Sequence, residues 1–423
     1  MMRKSSSTKP ETGHDRFLIL PESFDAFELL PKTLHRYADD ARYLVSTILR
    51  KTAKGQGDDC GYVPLRAEYL RAVISERRGR DVIESLLAAE AIHRTPYQVG
   101  VRSFAYRLDD RYLGDLHVRL AIESIRLLRK LEQHFAHCQD EADQRMKPVH
   151  HVLATLQNDL QIDGAESKAI LTTLPVESNP FDVQGILVRD ILDRRFRLSV
   201  GYFGRVANSI TSMKRELRAA LRCAGMQLAG VDISCAQPCL LSLLIRFCQK
   251  NVTSYIGTRW LPCPVALPCC PVPCCPSVAV FSEACLSGEL FGILGMRLTD
   301  AGVIWSRNEV KRRFLTDCIA KKGNYPSVIE DVFRAEFPGV WQFIKDVNRD
   351  DHATVIRILQ RLESWLVIEQ VCGRFVQRHP GAFVITIHDA AYVRPVMLGA
   401  LVESFEDVFE SLDFKPTLKV EGA

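Results

Sequence analysis

The chain has 423 residues, 47% of them hydrophobic and 25% charged, which allows two or three globular domains with sizeable cores. Its net charge of +4 suits a nucleic-acid partner without requiring one. No stretch approaches the roughly 20 uncharged apolar residues of a membrane span, and the opening MMRKSSSTKPETGHD lacks the apolar centre of a signal peptide. The expectation is a cytoplasmic protein with no membrane partner. Of the 14 cysteines, five fall at 263, 269, 270, 274 and 275 and the rest are scattered among apolar segments, so reduced thiols are expected rather than a secreted disulfide framework.

In chain order, residues 1–15 read as a disordered tail. A helix is expected at about 31–50, followed by the Gly/Asp-rich linker KTAKGQGDDC (51–60). Within 16–112, Tyr62–Leu65 reads as a short strand. Leu70, Val73, Ile74 and then Val82, Ile83, Leu86, Leu87 form two helical stripes broken at Arg78-Gly79-Arg80. Ala91–Arg94 and Phe104–Leu108 flank TPYQVGVRS as a hairpin. Helix, turn, helix, hairpin is a winged-helix-like pattern. Arg77, Arg78 and Arg80, with Arg71 nearby and Arg94, Arg102 and Arg107 around the wing, are placed to touch phosphates; a merely solvated face explains them equally well. Residues 113–200 read as an all-α segment. There His134, His137, Cys138, His150 and His151 lack a strong ligand spacing and are read as face residues.

The run Met226–Ser234 is a short strand carrying Asp232, followed by the apolar helix CLLSLLIRF. LPCPVALPCCPVPCCP lies within a Cys/Pro-rich insertion (261–277) whose spacing fits no zinc knuckle. Arg307 and Lys311 stand one turn apart on a helix, a spacing suited to a phosphate clamp. FVITIHDAAYV (383–393) is an apolar run interrupted by His388 and Asp389, which reads as a hairpin presenting a carboxylate at its tip. Two strand-borne aspartates brought side by side would repel by roughly 4 kcal/mol at about 4 Å with an effective dielectric near 20. Such a pair calls for divalent cations, and two Mg2+ ions on paired carboxylates are the machinery of in-line nucleotidyl transfer.

In that order, Gly204-Arg205 with the nearby ANSITSMKRELR, V-D-I-S at 231–234, R-x3-K at 307–311, ILQRLES at 358–364 and I-H-D at 387–389 resemble the core of family A DNA polymerases and single-subunit phage-type RNA polymerases. The resemblance covers roughly 200–415. It implies an α+β fold: a palm of antiparallel strands with α-helical fingers over 201–423, thumb-like helices over 113–200 and a winged-helix-like module in front. It implies Asp232 and Asp389 as catalytic and metal-binding residues, with the carbonyl of Ile233 as a further ligand for two Mg2+ ions. It implies Arg307 and Lys311 on the nucleotide's triphosphate, and Arg205, Gln360 and His388 on the nucleic acid.

The sequence departs from the family after Lys311, where RRFLTDCIAKKGNY puts Leu315 and Ile319 at positions that usually carry base-stacking aromatics. Ala390 follows Asp389 where Glu or Ser is usual. The sugar-discriminating position falls on Gln237, bulky enough to oppose a ribose 2′-hydroxyl, so dNTPs are the expected substrates. The expected enzyme is a template-directed DNA polymerase that extends a primer on DNA, with an RNA template, RNA synthesis or untemplated addition left open. The alternative is a catalytically degraded nucleic-acid-binding protein acting through its winged helix. Oligomeric state is not legible.

Overall fold

The computed structural model describes residues 17–58, 60–97, 103–201, 204–249 and 275–422. The tail at 1–15, Arg102 and the Cys/Pro-rich run up to 274 lie outside the described residues. The chain divides into two units: Met1–Gln144 with Ile162–Arg195 and Ser212–Ala220, and Arg145–Gln161 with Phe196–Thr211 and Leu221–Ala423. The expected helical segment at 113–200 is therefore shared between them.

In the first unit the helix Ala38–Ala53 buries Leu44, Val45, Ile48 and Leu49, the i, i+1, i+4, i+5 stripe that a 3.6-residue period turns to one side. Two buried acids in its first turn tie other segments to it. Asp39 accepts the N–H groups of Glu123 at 2.8 Å and Ser124 at 2.7 Å, just ahead of the helix Ile125–Asp143. Asp40 accepts from Ser75 N–H at 3.1 Å and pairs with Arg126. Helices Ala67–Val73 and Gly79–Ala88 accompany an antiparallel sheet in the order Val63–Pro64, Ala105–Leu108, Ile92–Arg94. A helix, turn, helix and hairpin thus occur over 62–108.

The all-α expectation for 115–200 fails in three places. His117–Ala121 is a strand paired antiparallel with Phe17–Pro21, Leu160–Ile162 is another, and Ser199–Val200 pairs with Val206–Ala207. His117–Ala121 is largely exposed, so it carries no buried alternation to betray it, and its partner lies some hundred residues earlier in the chain.

The second unit is built on a four-stranded antiparallel sheet in the order Val384–Ile387, Ala390–Val393, Ala229–Ile233, Leu418–Glu421. The strands VITI and AAYV are buried along their whole length. Gly230 faces Tyr392 across the pair, where a Cβ would stand 2.6 Å from the ring; only glycine lets that tyrosine lie flat on the central strand. The core continues through helices Ala236–Gln249, Thr354–Ser364 and Leu398–Ser411. A helical region over 276–347 is centred on Phe281, Phe291, Phe314, Phe333 and Phe337, whose neighbouring rings lie 5.1–6.0 Å apart, mostly edge to face. Asn208 fastens its loop to the hairpin by donating to Thr386 O at 2.6 Å.

Candidate active site

The hairpin that ends in Asp389 has a two-residue loop, since Ile387 pairs with Ala390. His388 takes the first loop position with φ of 56°, a left-handed conformation that histidine adopts more readily than most non-glycine residues. The central strand runs alongside, and Asp232 pairs with Ala390. That register puts Asp232 beside the residue after Asp389, and the two carboxyl groups lie close enough to act on each other. Two carboxylates this close repel each other, which favours the protonated form of either. Burial, then the charge and nearness of Asp389, push Asp232 up to about 7. Burial and the charge of Glu363 also raise Asp389, against its own backbone N–H, Lys311 and the neighbouring Asp232. Asp232 Oδ1 is buried with no hydrogen-bond partner.

Glu363, which the sequence reading passed over, is the third acid. It is only 3% exposed, and burial raises its pKa despite two partners. Arg205 Nε donates to one oxygen at 3.3 Å and Gln237 Nε2 to the other at 2.5 Å. One carboxylate therefore joins the segment at 205, the start of the helix after Asp232 and the end of Thr354–Ser364. A signal for it existed: Val355, Ile358, Leu359 and Leu362 form the buried stripe of that helix, and Glu363 continues the stripe as a charged residue where an apolar one is expected.

The basic helix Arg307–Arg313 starts at Ser306, whose Oγ accepts the N–H of Glu309 at 3.2 Å. Arg307 and Lys311 are exposed. Arg307 Nη2 donates to Gly288 O at 3.0 Å, and the charge of Lys311 opposes the rise in the pKa of Asp389 without reversing it. Helices with π-type hydrogen bonding follow directly at Phe314–Ile319 and, after Glu363, at Trp365–Cys372; such segments recur at functional sites. Phe314 and Ile319 are buried in the first of them, so neither is presented for stacking.

Ile233 ends the central strand opposite Leu418. Gln360 is half-buried one turn before Glu363, and its side chain forms no hydrogen bond among the described residues. Arg77, Arg78 and Arg80 belong to the first unit, where all three are exposed and Arg78 pairs with Asp81 at 2.8 Å. Lys419 was also missed. It pairs with Asp232 from the C-terminal strand and pulls the pKa of that acid down.

The donors around the acid pair are all oxygens, the set that hard cations such as Mg2+ prefer. An orphaned carboxylate oxygen beside a second acid is what a cation would satisfy. Among the described residues no group of three or more His, Cys, Asp or Glu side chains is disposed to hold a metal; Glu363 is already engaged by Arg205 and Gln237. Two carboxylates are nevertheless a usual protein share for Mg2+, which keeps several waters and takes substrate phosphates.

No protein-family model matches the chain, and no curated protein matches it. Among solved structures it is similar to the POL domain of Pol1 from M. smegmatis, in complex with DNA primer-template and dNTP. Identity is 13% and the TM-score 0.29, over 68% of this chain and 65% of that one. The chain thus spans a little under two thirds of that neighbour. Among the described residues no single helix is long and apolar enough to cross a membrane.

Proposed function

We propose that the protein is a nucleotidyltransferase of the DNA polymerase type, adding dNTPs to the 3′-hydroxyl of a primer on a DNA template. The observation that carries this reading is the acid pair Asp232 and Asp389, buried on neighbouring strands, both with raised pKa values and with one oxygen unsatisfied. Nothing in packing calls for two adjacent buried carboxylates, and their repulsion makes them costly.

Asp232 and Asp389, with the Ile233 carbonyl, would hold two Mg2+ ions. When bound, such ions lower the pKa of an attacking hydroxyl and stabilise the charge that develops in in-line displacement at phosphorus. The chain's own groups do the positioning. Arg307 and Lys311 take the triphosphate as fixed positive charges that require no proton transfer. Glu363 holds Arg205 and Gln237 in one orientation, which sets Arg205 towards the duplex and Gln237 towards the sugar of the nucleotide. His388 and Gln360 line the same path. In the first unit the winged-helix-like elements offer Arg77, Arg78 and Arg80 to the phosphate backbone, a contact that weakens with salt.

Primer extension with Mg2+ and labelled dNTPs tests the proposal, with rNTPs and an RNA template as parallel arms. Extension by the native chain and its loss in Asp232→Ala and Asp389→Ala are expected. Gel-shift binding with no incorporation under any condition would instead assign the protein to nucleic-acid binding through the arginines of the first unit.

A further inference from the structure

We propose that the hairpin of the first unit carries a base-stacking platform, Tyr97 leaning on Phe104, that takes an unpaired base of single-stranded nucleic acid. The proposal rests on the reading of this unit as a nucleic-acid-binding module and is independent of catalysis in the second. The strands Ile92–Arg94 and Ala105–Leu108 pair antiparallel. Thr95 extends the ladder by one step: its N–H donates to Ala105 O at 2.9 Å, and its Oγ1 accepts Ala105 N–H at 3.1 Å. Just beyond that step stand Tyr97 on one arm and Phe104 on the other.

Their ring centroids lie 5.5 Å apart, with the planes tilted by 48°. Phe104 is half-buried and held from two sides. Its carbonyl accepts Leu65 N–H at 3.1 Å, and the Arg94 guanidinium lies over its ring, 4.6 Å from the centroid. Tyr97 is 54% exposed. A large ring that rests on one fixed neighbour and otherwise faces water adds little to the core, yet offers a flat π-surface to a ligand. Every nucleobase has a π-face of its own, and aromatic rings beside cations are how single strands are held whatever their sequence.

The cations are supplied by the neighbouring helix as well as by the hairpin. Arg94 pairs at 2.8 Å with Glu84, which stands on the helix Gly79–Ala88 one turn after Arg80. Residues four apart share a helix face, so Arg80 lies on the face that Glu84 ties to the hairpin. Arg80 is exposed, and the acids closest to it along the helix, Asp81 and Glu84, are paired with Arg78 and Arg94. One surface therefore runs from a phosphate-binding cation at Arg80, through Glu84, Arg94 and Phe104, to the ring of Tyr97. Bases inside a duplex are stacked on one another and present no free face, which selects an unpaired base. An apolar protein partner would want a contiguous apolar patch, whereas charged side chains adjoin this ring.

Fluorescence anisotropy of the full chain with a labelled oligodeoxythymidylate, which forms no duplex of its own, tests the proposal, with a blunt-ended duplex as the second arm. Tyr97→Ala is expected to weaken oligonucleotide binding about tenfold while melting temperature and duplex affinity stay at the native values. The salt dependence of binding should not change, because no phosphate contact is lost. Tyr97→Trp should bind the oligonucleotide at least as well as the native chain. Unchanged oligonucleotide binding in Tyr97→Ala overturns the proposal, as does an equal loss on the duplex or a shallower salt dependence, either of which would make Tyr97 a contact to the sugar-phosphate backbone. A native chain that binds the duplex but no oligonucleotide also overturns it and leaves the polymerase reading standing. Conversely, a native chain that holds oligodeoxythymidylate through Tyr97 yet extends no primer would sink the polymerase reading alone.

Discussion

Two pairs of buried carboxylates, one in each unit, are treated in opposite ways. Asp39 and Asp40 in the first are fully provided for: two backbone N–H groups and Arg42 on one, Ser75 N–H and Arg126 on the other. Each joins segments distant in sequence, as a buried acid does when its work is structural. In the second unit Asp232 and Asp389 adjoin, raise the pKa of Asp232 and leave one of its oxygens without a donor. Acids that hold a fold are saturated by donors, whereas acids kept for chemistry are left wanting a cation.

The comparison predicts opposite responses to the same substitution, and this is its largest test. Asp232→Asn or Asp389→Asn should abolish nucleotide incorporation, by about 1000-fold or more given the usual cost of losing transition-state charge stabilisation, while leaving thermal stability unchanged or higher because a repulsion is removed. Asp40→Asn should leave incorporation by the second unit intact and cost about 2 kcal/mol, since Arg126 loses its partner. Calorimetric melting beside a primer-extension assay checks both. A stability loss in Asp232→Asn as large as in Asp40→Asn would erase the distinction.

A buried base in the second unit sharpens the point from the other side. His150 stands in the first turn of the helix Pro148–Leu156, and its Nδ1 accepts the backbone N–H of Lys147 at 2.8 Å. Protonation would abolish that acceptor. Burial, then the charges of Lys147 and His151, lower its pKa to about 4. The native state thus binds fewer protons than the unfolded one between the ordinary histidine value near 6.5 and about 4, so stability falls as pH drops through that window. The full shift is worth about 3 kcal/mol. The helix packs on the strand Val384–Ile387 and on Trp365–Cys372, so acid should loosen the hairpin that carries Asp389. Denaturant melts from pH 7 to 4 in the native chain and in His150→Gln check this; an equal pH slope in both would refute it.

Glu363 lies between the two kinds of acid. It sits at the site, yet both its oxygens have donors. Glu363→Gln should therefore lower stability by about 1 kcal/mol, the net value of a hydrogen bond that loses its charge, and slow incorporation without abolishing it. Native activity in this variant would show that the orientation of Arg205 and Gln237 has no bearing on the reaction.

What could be read from the sequence follows the range of the physics. The hairpin at 383–393 was legible because apolar runs around a two-residue loop are a local signal, and the pairing of Arg307 with Lys311 because helical spacing is local too. The arrangement of Glu363 was only half legible: its place on a buried stripe could be seen, but not the arginine and glutamine that meet it. Lys419 was not legible at all. LKVE is a short strand with its lysine in water, and its place beside Asp232 follows from a strand pairing that no window of sequence contains. His117–Ala121 escaped for the same reason.

The smallest test concerns a polar group near the site that is satisfied in the manner of the first unit. Ser306 Oγ caps the basic helix by accepting Glu309 N–H at 3.2 Å, and Glu309 is in turn held by Arg312 and Arg313, which draw its pKa down to about 2. Ser306→Ala removes one cap, worth about 1 kcal/mol. The helix Arg307–Arg313 is short, so fraying of its first turn reaches Arg307 directly and Lys311 less. The expected result is a rise of a few-fold in the KM for dNTP with kcat nearly unchanged, because the cap acts on the geometry of the cation rather than on the acids. Ser306→Asp, which restores an acceptor at the N-cap, should return KM to the native value. A fall in kcat with constant KM would mean that this helix contributes to the chemical step itself and not only to holding phosphate.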